Sequence, residues 1–241
     1  MILLLRFLFV CGVLLAVIVC ALVGVTIWHF DRDLPDYQLL AHYQPPIMTR
    51  VHATDGRVLA EFAVERRVFV PIQAIPKRVV DAFLSAEDKN FYGHHGIDPL
   101  SIVRAAFTNV SRLTENRRPV GASTITQQVA KNMLLSNEIS IERKIQEILL
   151  ASRIEVALPK DRILELYLNQ IYLGSGAYGV TAAALTYFNK SLDELTLGEA
   201  AFLAGLPKAP NRYNPRRHPQ AAEARRDWVL SFKKPWKGSE V

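Results

Sequence analysis

The stretch 140-SIERKIQEILLASRIEVALPKDRILELYLNQIYLG-174 decides the fold class. Its first part, 140–158, carries apolar residues at helical spacing and ends at Pro159. Its second part, 160–174, repeats the pattern and is stopped by Gly174. Proline ends a helix because it has no N–H and its ring clashes with the preceding turn, and glycine frees the chain to leave one. Two such helices in succession predict a mainly α domain. The flanks agree. Pro76 suits a helix start, and Val79, Val80, Phe83 and Ala86 then form one buried stripe. Asp98-Pro99 is an N-cap with proline at the first helical position, opening a helix over 99–110. Thr196 and Glu199 form a capping box before 200-AAFLAGL-206, which Pro207 closes. Between these, 111–121 is polar, basic and broken by Pro119, and reads as a mobile loop. Upstream, Asp55-Gly56 between alternating flanks predicts a hairpin within 49–72, and 67–70 offers a third strand.

The N-terminus sets a different constraint. The run 7-FLFVCGVLLAVIVCALVGVTIW-28 contains no charge. At about 1.5 Å per residue it makes roughly 33 Å of helix, against a hydrocarbon core of about 30 Å. A cleaved signal peptide would have a shorter apolar region, about 7–15 residues, with a small-x-small site behind it. The expectation is a retained anchor over 7–28. Arg6 lies on one side and Asp31, Asp33 and Asp36 on the other, so the positive-inside tendency puts residues 1–6 in the cytoplasm and the rest outside it. Residues 29–48, ending in Gln44-Pro-Pro-Ile, read as a linker, 49–72 as a small β region, 73–230 as the main domain and 231–241 as a tail. Both cysteines, Cys11 and Cys20, lie in the anchor, so the exported part has no disulfide staple. The net charge of +6 suits an anionic membrane surface; an exported domain is not expected to meet nucleic acid.

Three segments can carry chemistry. In 87-EDKNFYGHHGID-98, Glu87 and Asp88 sit at the end of the Pro76 helix. The partial negative charge of a helix C-terminus opposes carboxylates there and raises their pKa, which suits a general base. An exposed, solvated acidic pair is the plain alternative. His94 and His95 have no partner at metal-ligand spacing, so one of them is expected to cap or pack beside the carboxylates. In 121-GASTITQQVAKN-132, Thr124, Gln128 and Lys131 share a helix face, with Gln127 beside them. Hydroxyls, amides and one ammonium suit sugar hydroxyls, N-acetyl groups and a phosphate; the alternative is an ordinary capped helix. In 143-RKIQE-147, Glu147 lies within one turn of both Arg143 and Lys144. The alternative there is a surface ion pair.

Taken in order along the chain, 87-EDKNFYGHHG-96, 121-GASTITQQVAKN-132, 143-RKIQE-147 and 160-KDRILELYLNQIYLG-174 closely resemble the successive motifs of the peptidoglycan glycosyltransferase domain. That domain occurs in class A penicillin-binding proteins and in monofunctional transglycosylases. The resemblance covers roughly residues 45–230, including 198-GEAAFLAGLPKAPNRYNP-215. It implies a lysozyme-like, mainly α fold with a membrane-proximal jaw, carried on one transmembrane helix at the outer face of the cytoplasmic membrane. The small β-hairpin region read above would precede it.

The resemblance also implies a reaction. Lipid-linked disaccharide–pentapeptide (lipid II) is polymerised into a growing glycan strand with inversion, releasing polyprenyl diphosphate. Glu87 matches the catalytic glutamate and Glu147 the second essential one. Lys131, Arg143 and Lys144 match the cations at the diphosphate, and moenomycin, a phosphoglycolipid, is the family's inhibitor. Ser123, Thr124, Gln127 and Gln128 match polar substrate contacts, and Asp88, Asn132 and Asn169 join them from the same motifs. No cofactor is obligatory; Mg2+ or Mn2+ can assist at the diphosphate. Other cell-wall synthesis proteins are possible partners. A lysozyme-like glycan-cleaving enzyme and a truncated, catalytically poor membrane scaffold are the alternatives. The scaffold arises because the family pattern after 225-RRDWVLS-231 gives way to 232-FKKPWKGSEV-241, where a transpeptidase domain follows in class A relatives.

Overall fold

The computed structural model describes residues 2–43, 49–52, 58–62, 66–114, 121–136, 138 and 140–232. It opens with α1 (Ile2–Asp31), whose segment Arg6–Asp31 is long and apolar enough to cross a membrane. Phe7, Leu14, Leu22 and Trp28 all stand exposed on it, which fits a helix apolar all round only if something other than water surrounds it. The segment expected as a linker is partly folded instead. Asp36 accepts from the Gln38 N–H to cap a single turn at Tyr37–Leu40, and Leu40 is buried in the core. Tyr43 accepts hydrogen bonds from Arg162 at its carbonyl and from Gln170 at its hydroxyl. Apolar side chains at 40 and 43 thus bring this stretch onto the domain; 44–48 lie outside the described residues.

β1 (Thr49–His52) and β2 (Val58–Phe62) pair antiparallel, Thr49 opposite Phe62, with the Asp55-Gly56 turn outside the described residues. No third strand joins them from 67–70. β3 (Arg66–Arg67) pairs parallel with a distant strand, Ala177–Tyr178, and Val68 to Val70 are not strand. Asn169 explains this. Its side-chain oxygen accepts from the Val70 N–H at 2.9 Å and its amide donates to the Val70 carbonyl at 2.8 Å, so both backbone groups of Val70 are spent on this side chain instead of on a strand partner.

α2 (Lys77–Glu87) follows with Pro76 as its cap; Val79, Ala82 and Phe83 are fully buried, while Val80 and Ala86 are partly so. Asp98 caps α3 (Pro99–Thr114) by accepting from Ser101 N–H and hydroxyl. The helix runs through Thr114, four residues into the expected loop, and 115–120 lie outside the described residues. Then come α4 (Ile125–Leu134), α5 (Ile141–Ala157) and α6 (Lys160–Gln170). α6 ends four residues before Gly174. Ile171 to Leu173 leave the helix to bond the returning chain, where Leu173 N–H donates to Ala177 and Gly179 N–H to Ile171. β4 (Ala177–Tyr178), α7 (Val180–Phe188), α8 (Leu197–Gly205, with the expected Thr196–Glu199 box) and α9 (Pro219–Leu230) complete the order. α2 packs on α8 and α8 on α9, while α4 packs on α5 and α6. Phe83 and Tyr167 meet edge-to-face at 6.2 Å between the two groups.

Candidate active site

Glu87 is the last residue of α2, and Asp88 is its cap. The apolar stripe of α2 faces the core, so the chain leaving it turns both carboxylates inward. Only 12% of the Glu87 side chain is exposed. The Gln128 amide donates to its Oε2 at 2.9 Å, and the Arg225 guanidinium lies 3.9 Å from its Oε1. Burial is the main reason its pKa is raised; Gln128, Arg225 and Lys208 pull it back, in that order, and Asp88 adds a small push upward. The direction is the one expected from the helix end, but the largest cause is desolvation.

Asp88 lines one of the cavities described below and also fastens the fold. Its carboxylate accepts from the Ile125 backbone N–H at 3.0 Å and meets His94 Nε2 at 3.0 and 3.1 Å. Both side chains are nearly inaccessible, and His95 is exposed. Burial raises Asp88, against the lowering effect of these two partners. Ile125 is the first residue of α4, so Asp88 ties the end of α2 to the start of the helix bearing Gln128.

The entrance to α4 is a complete capping box. Thr124 accepts from the Gln127 N–H, Gln127 accepts from the Thr124 N–H, and the Thr124 hydroxyl donates to Gly96 at 2.7 Å. Thr124 and Gln127 are 2% and 3% exposed, and the Thr124 hydroxyl and the Gln127 side-chain oxygen are used within the fold, so the assignment of Gln127 as a substrate contact is corrected, while Thr124 still lines one of the cavities described below. Gln127→Ala is expected to lower unfolding free energy by about 1 kcal/mol in a urea melt while leaving substrate affinity unchanged. Weakened affinity at unchanged stability would return Gln127 to the substrate wall.

Further along α4, Gln128 and Lys131 do face a cleft. It has a volume of about 610 Å³ and is lined by Glu87, Ser123, Gln128, Lys131, Lys208 and Arg225 among others. A second cavity of about 550 Å³ shares Gln128, Lys131 and Pro207 with it and adds Asn132, Tyr43, Tyr172 and Tyr178. A third, about 280 Å³, shares Glu87 and Ser123 and reaches Lys89 and Arg104.

The other glutamate sits on α5. Glu147 is 3% exposed; Lys144 donates to its Oε2 at 2.7 Å, and Arg143 lies 3.6 Å from its Oε1. Lys144 also donates to Ser123 at 2.9 Å. Arg143, Lys144 and Glu147 do not line the three cavities; Lys144 reaches the cleft wall only through Ser123. Asn169, assigned from the fourth motif, is also corrected: it is 3% exposed and engaged with Val70 and Glu165.

Lys208, Arg212 and Arg225 line the same cleft and were not singled out from the sequence. Lys208 follows the Pro207 that closes α8, and Arg225 is one of a pair on a helix with no strong apolar face. Burial, then Arg225 and Arg112, push the Lys208 ammonium down, which marks a crowded positive wall. A cation next to a helix end was visible in the sequence; its distance from Glu87 was not.

The family model described as transglycosylase matches residues 55–233. Penicillin-binding protein 1A of Rickettsia felis is 54% identical over 227 residues, covering 93% of this chain and 29% of that protein. Penicillin-binding protein 1A of Aquifex aeolicus is 48% identical over 219 residues, covering 90% of this chain and 30% of its own length. A crystal structure of penicillin-binding protein 1A from Haemophilus influenzae aligns at a TM-score of 0.40 with 30% identity, covering 78% of this chain and 18% of that one. The chain thus spans less than a third of the curated relatives it matches. With three-quarters of it inside one family model and Glu87, Gln128 and Lys131 gathered on one cleft, the chain belongs to the transglycosylase family.

Proposed function

We propose that this domain polymerises lipid-linked disaccharide–pentapeptide into a growing glycan strand, with inversion at the anomeric carbon and release of polyprenyl diphosphate. The observation that carries it is Glu87, buried at a helix end and held on both oxygens, on the wall of a cleft whose other faces carry cations. As general base, Glu87 takes the proton of the acceptor sugar's 4-hydroxyl as that oxygen attacks the anomeric carbon of the donor. The leaving diphosphate is stable as an anion, so cations suffice where glycoside hydrolysis needs a carboxylic acid. Lys131 supplies one charge directly on the wall. Arg143 and Lys144 act from α5, and Glu147 orients them, through the contacts at 3.6 and 2.7 Å. Gln128, Ser123 and Asn132 offer hydrogen bonds to the sugars from the cleft.

No cofactor is part of this reading. Glu87 and Glu147 each have a cation within 4 Å, an arrangement ill suited to a resident divalent ion; Mg2+ or Mn2+ would be held by the substrate diphosphate instead. The protein would sit in the cytoplasmic membrane on α1, with the cleft on the outer face, where lipid-linked substrate, membrane and glycan strand meet.

The test is incubation of the purified protein with labelled lipid-linked disaccharide–pentapeptide. Formation of polymer and free polyprenyl diphosphate is expected; cleavage of mature glycan without polymer would favour a lysozyme-like enzyme. Lys131→Ala and Lys144→Ala are expected to weaken substrate and moenomycin together, since both present a phosphate to these cations. Moenomycin affinity unchanged in both variants would refute the diphosphate assignment.

A further inference from the structure

Arg225 lies on α9, outside the four motifs that carry the family resemblance, and it is 8% exposed. Such burial is rare for arginine unless its charge has a purpose or a partner. Its stem runs across the last residue of α8. A Cβ on Gly205 would stand 2.9 Å from Arg225 Cγ, so the helix provides a notch where the stem passes. Arg225 Nε donates to the Gly205 carbonyl at 3.3 Å, and its guanidinium lies 3.9 Å from the Trp228 ring centre. A planar cation stacked on one side and bonded at Nε has few rotamers left. The end that remains, Nη2, lies 3.9 Å from Glu87 Oε1.

We propose that Arg225 is a positioning residue for the glycosyl transfer proposed above: seated in the Gly205 notch and against Trp228, it holds one oxygen of Glu87 from α9 while Gln128 holds the other from α4. The carboxylate is thereby fixed in rotation, with its charge supported across an ion pair rather than by a second hydrogen bond. This leaves Oε1 able to receive the acceptor proton. The groups facing Glu87 come from every neighbouring element: Asp88 beside it, Gln128 from α4, Tyr167 from α6, Lys208 after α8, and Arg225. Of the two cations, Arg225 has the larger lowering influence on Glu87 and is the one locked in place.

The proposal rests on the glycosyltransferase reading, and two readouts separate them. The first is the pH profile of kcat/KM for polymerisation of lipid-linked disaccharide–pentapeptide by the full chain. Arg225→Met is expected to move the acidic limb upward by about one pH unit, because an opposite charge within about 4–6 Å of a carboxylate has been removed. Arg225→Lys keeps the charge without the fork and should fall between the two. Gly205→Ala, which fills the notch and leaves every charged residue in place, should shift the limb in the same direction as Arg225→Met. The second is a carbon-13 carboxyl NMR titration of Glu87, assigned by its absence in Glu87→Gln, and it needs no turnover. A wild-type protein that makes no polymer, with a Glu87 midpoint that still rises in Arg225→Met, would sink the glycosyltransferase reading and leave the coupling standing. An unchanged midpoint and unchanged limb in Arg225→Met, with only a lower melting temperature, would make Arg225 a packing residue and overturn the proposal.

Discussion

Glu87→Gln is expected to lower polymerisation by about two to four orders of magnitude, the usual contribution of a general base. Glutamine keeps the shape and one acceptor, so Gln128 still has a partner and binding of the lipid-linked substrate should change little. The loss belongs in kcat. In the wild type, activity should fall as pH drops through the raised pKa of Glu87, placing the acidic limb above the ordinary value of 4.5. Stability runs the other way. A carboxyl raised by burial contributes its full share below 4.5, and that share is lost as pH climbs through the folded-state value. Glutamine has no such dependence, so the melting temperature of Glu87→Gln minus that of wild type should grow as pH rises. Polymer formation at the wild-type rate by the variant would remove Glu87 from the role of base.

The second large effect is on folding. Gly179→Ala is expected to cost about 3 kcal/mol or more, a fall of roughly 10 °C in melting temperature for a domain of this size. Gly179 has φ +81°, where an L side chain is strained, and it caps α7. A Cβ there would meet the Asn169 carbonyl oxygen at 2.6 Å and its carbonyl carbon at 2.9 Å. Those are backbone atoms of α6, and Asn169 is tied to Val70 and Glu165, so they cannot withdraw cheaply. Gly198→Ala is the control: it lies in α8 with open space around it, and should be neutral or slightly stabilising. Equal melting temperatures for the two variants would mean that the α6–α7 contact is not tight.

The residues show by themselves which parts of this chain are helical and which residue types are candidates for the chemistry. Helix caps and stops act over three or four residues, so Asp98 and the Thr196–Glu199 box needed nothing beyond their neighbours. Glu87, Gln128 and Lys131 were legible for the same reason, since each stands at a fixed offset in a segment whose helix has a readable start or end. Where tertiary structure prevailed, the partner was distant in the chain. Asn169 read as a substrate ligand, but a buried amide bonds whatever backbone is brought to it, and here that is Val70. β3 found Ala177–Tyr178 instead of its neighbours, and α6 gave up a turn to bond the returning strand. Arg225 and Lys208 became part of the site because α8 and α9 pack against α2 and carry them to Glu87. Charge and hydrogen-bonding capacity are properties of a residue and can be read one letter at a time. Desolvation, which raises Glu87 above an ordinary carboxylate, is a property of everything packed around it, and it exists only once the chain has folded.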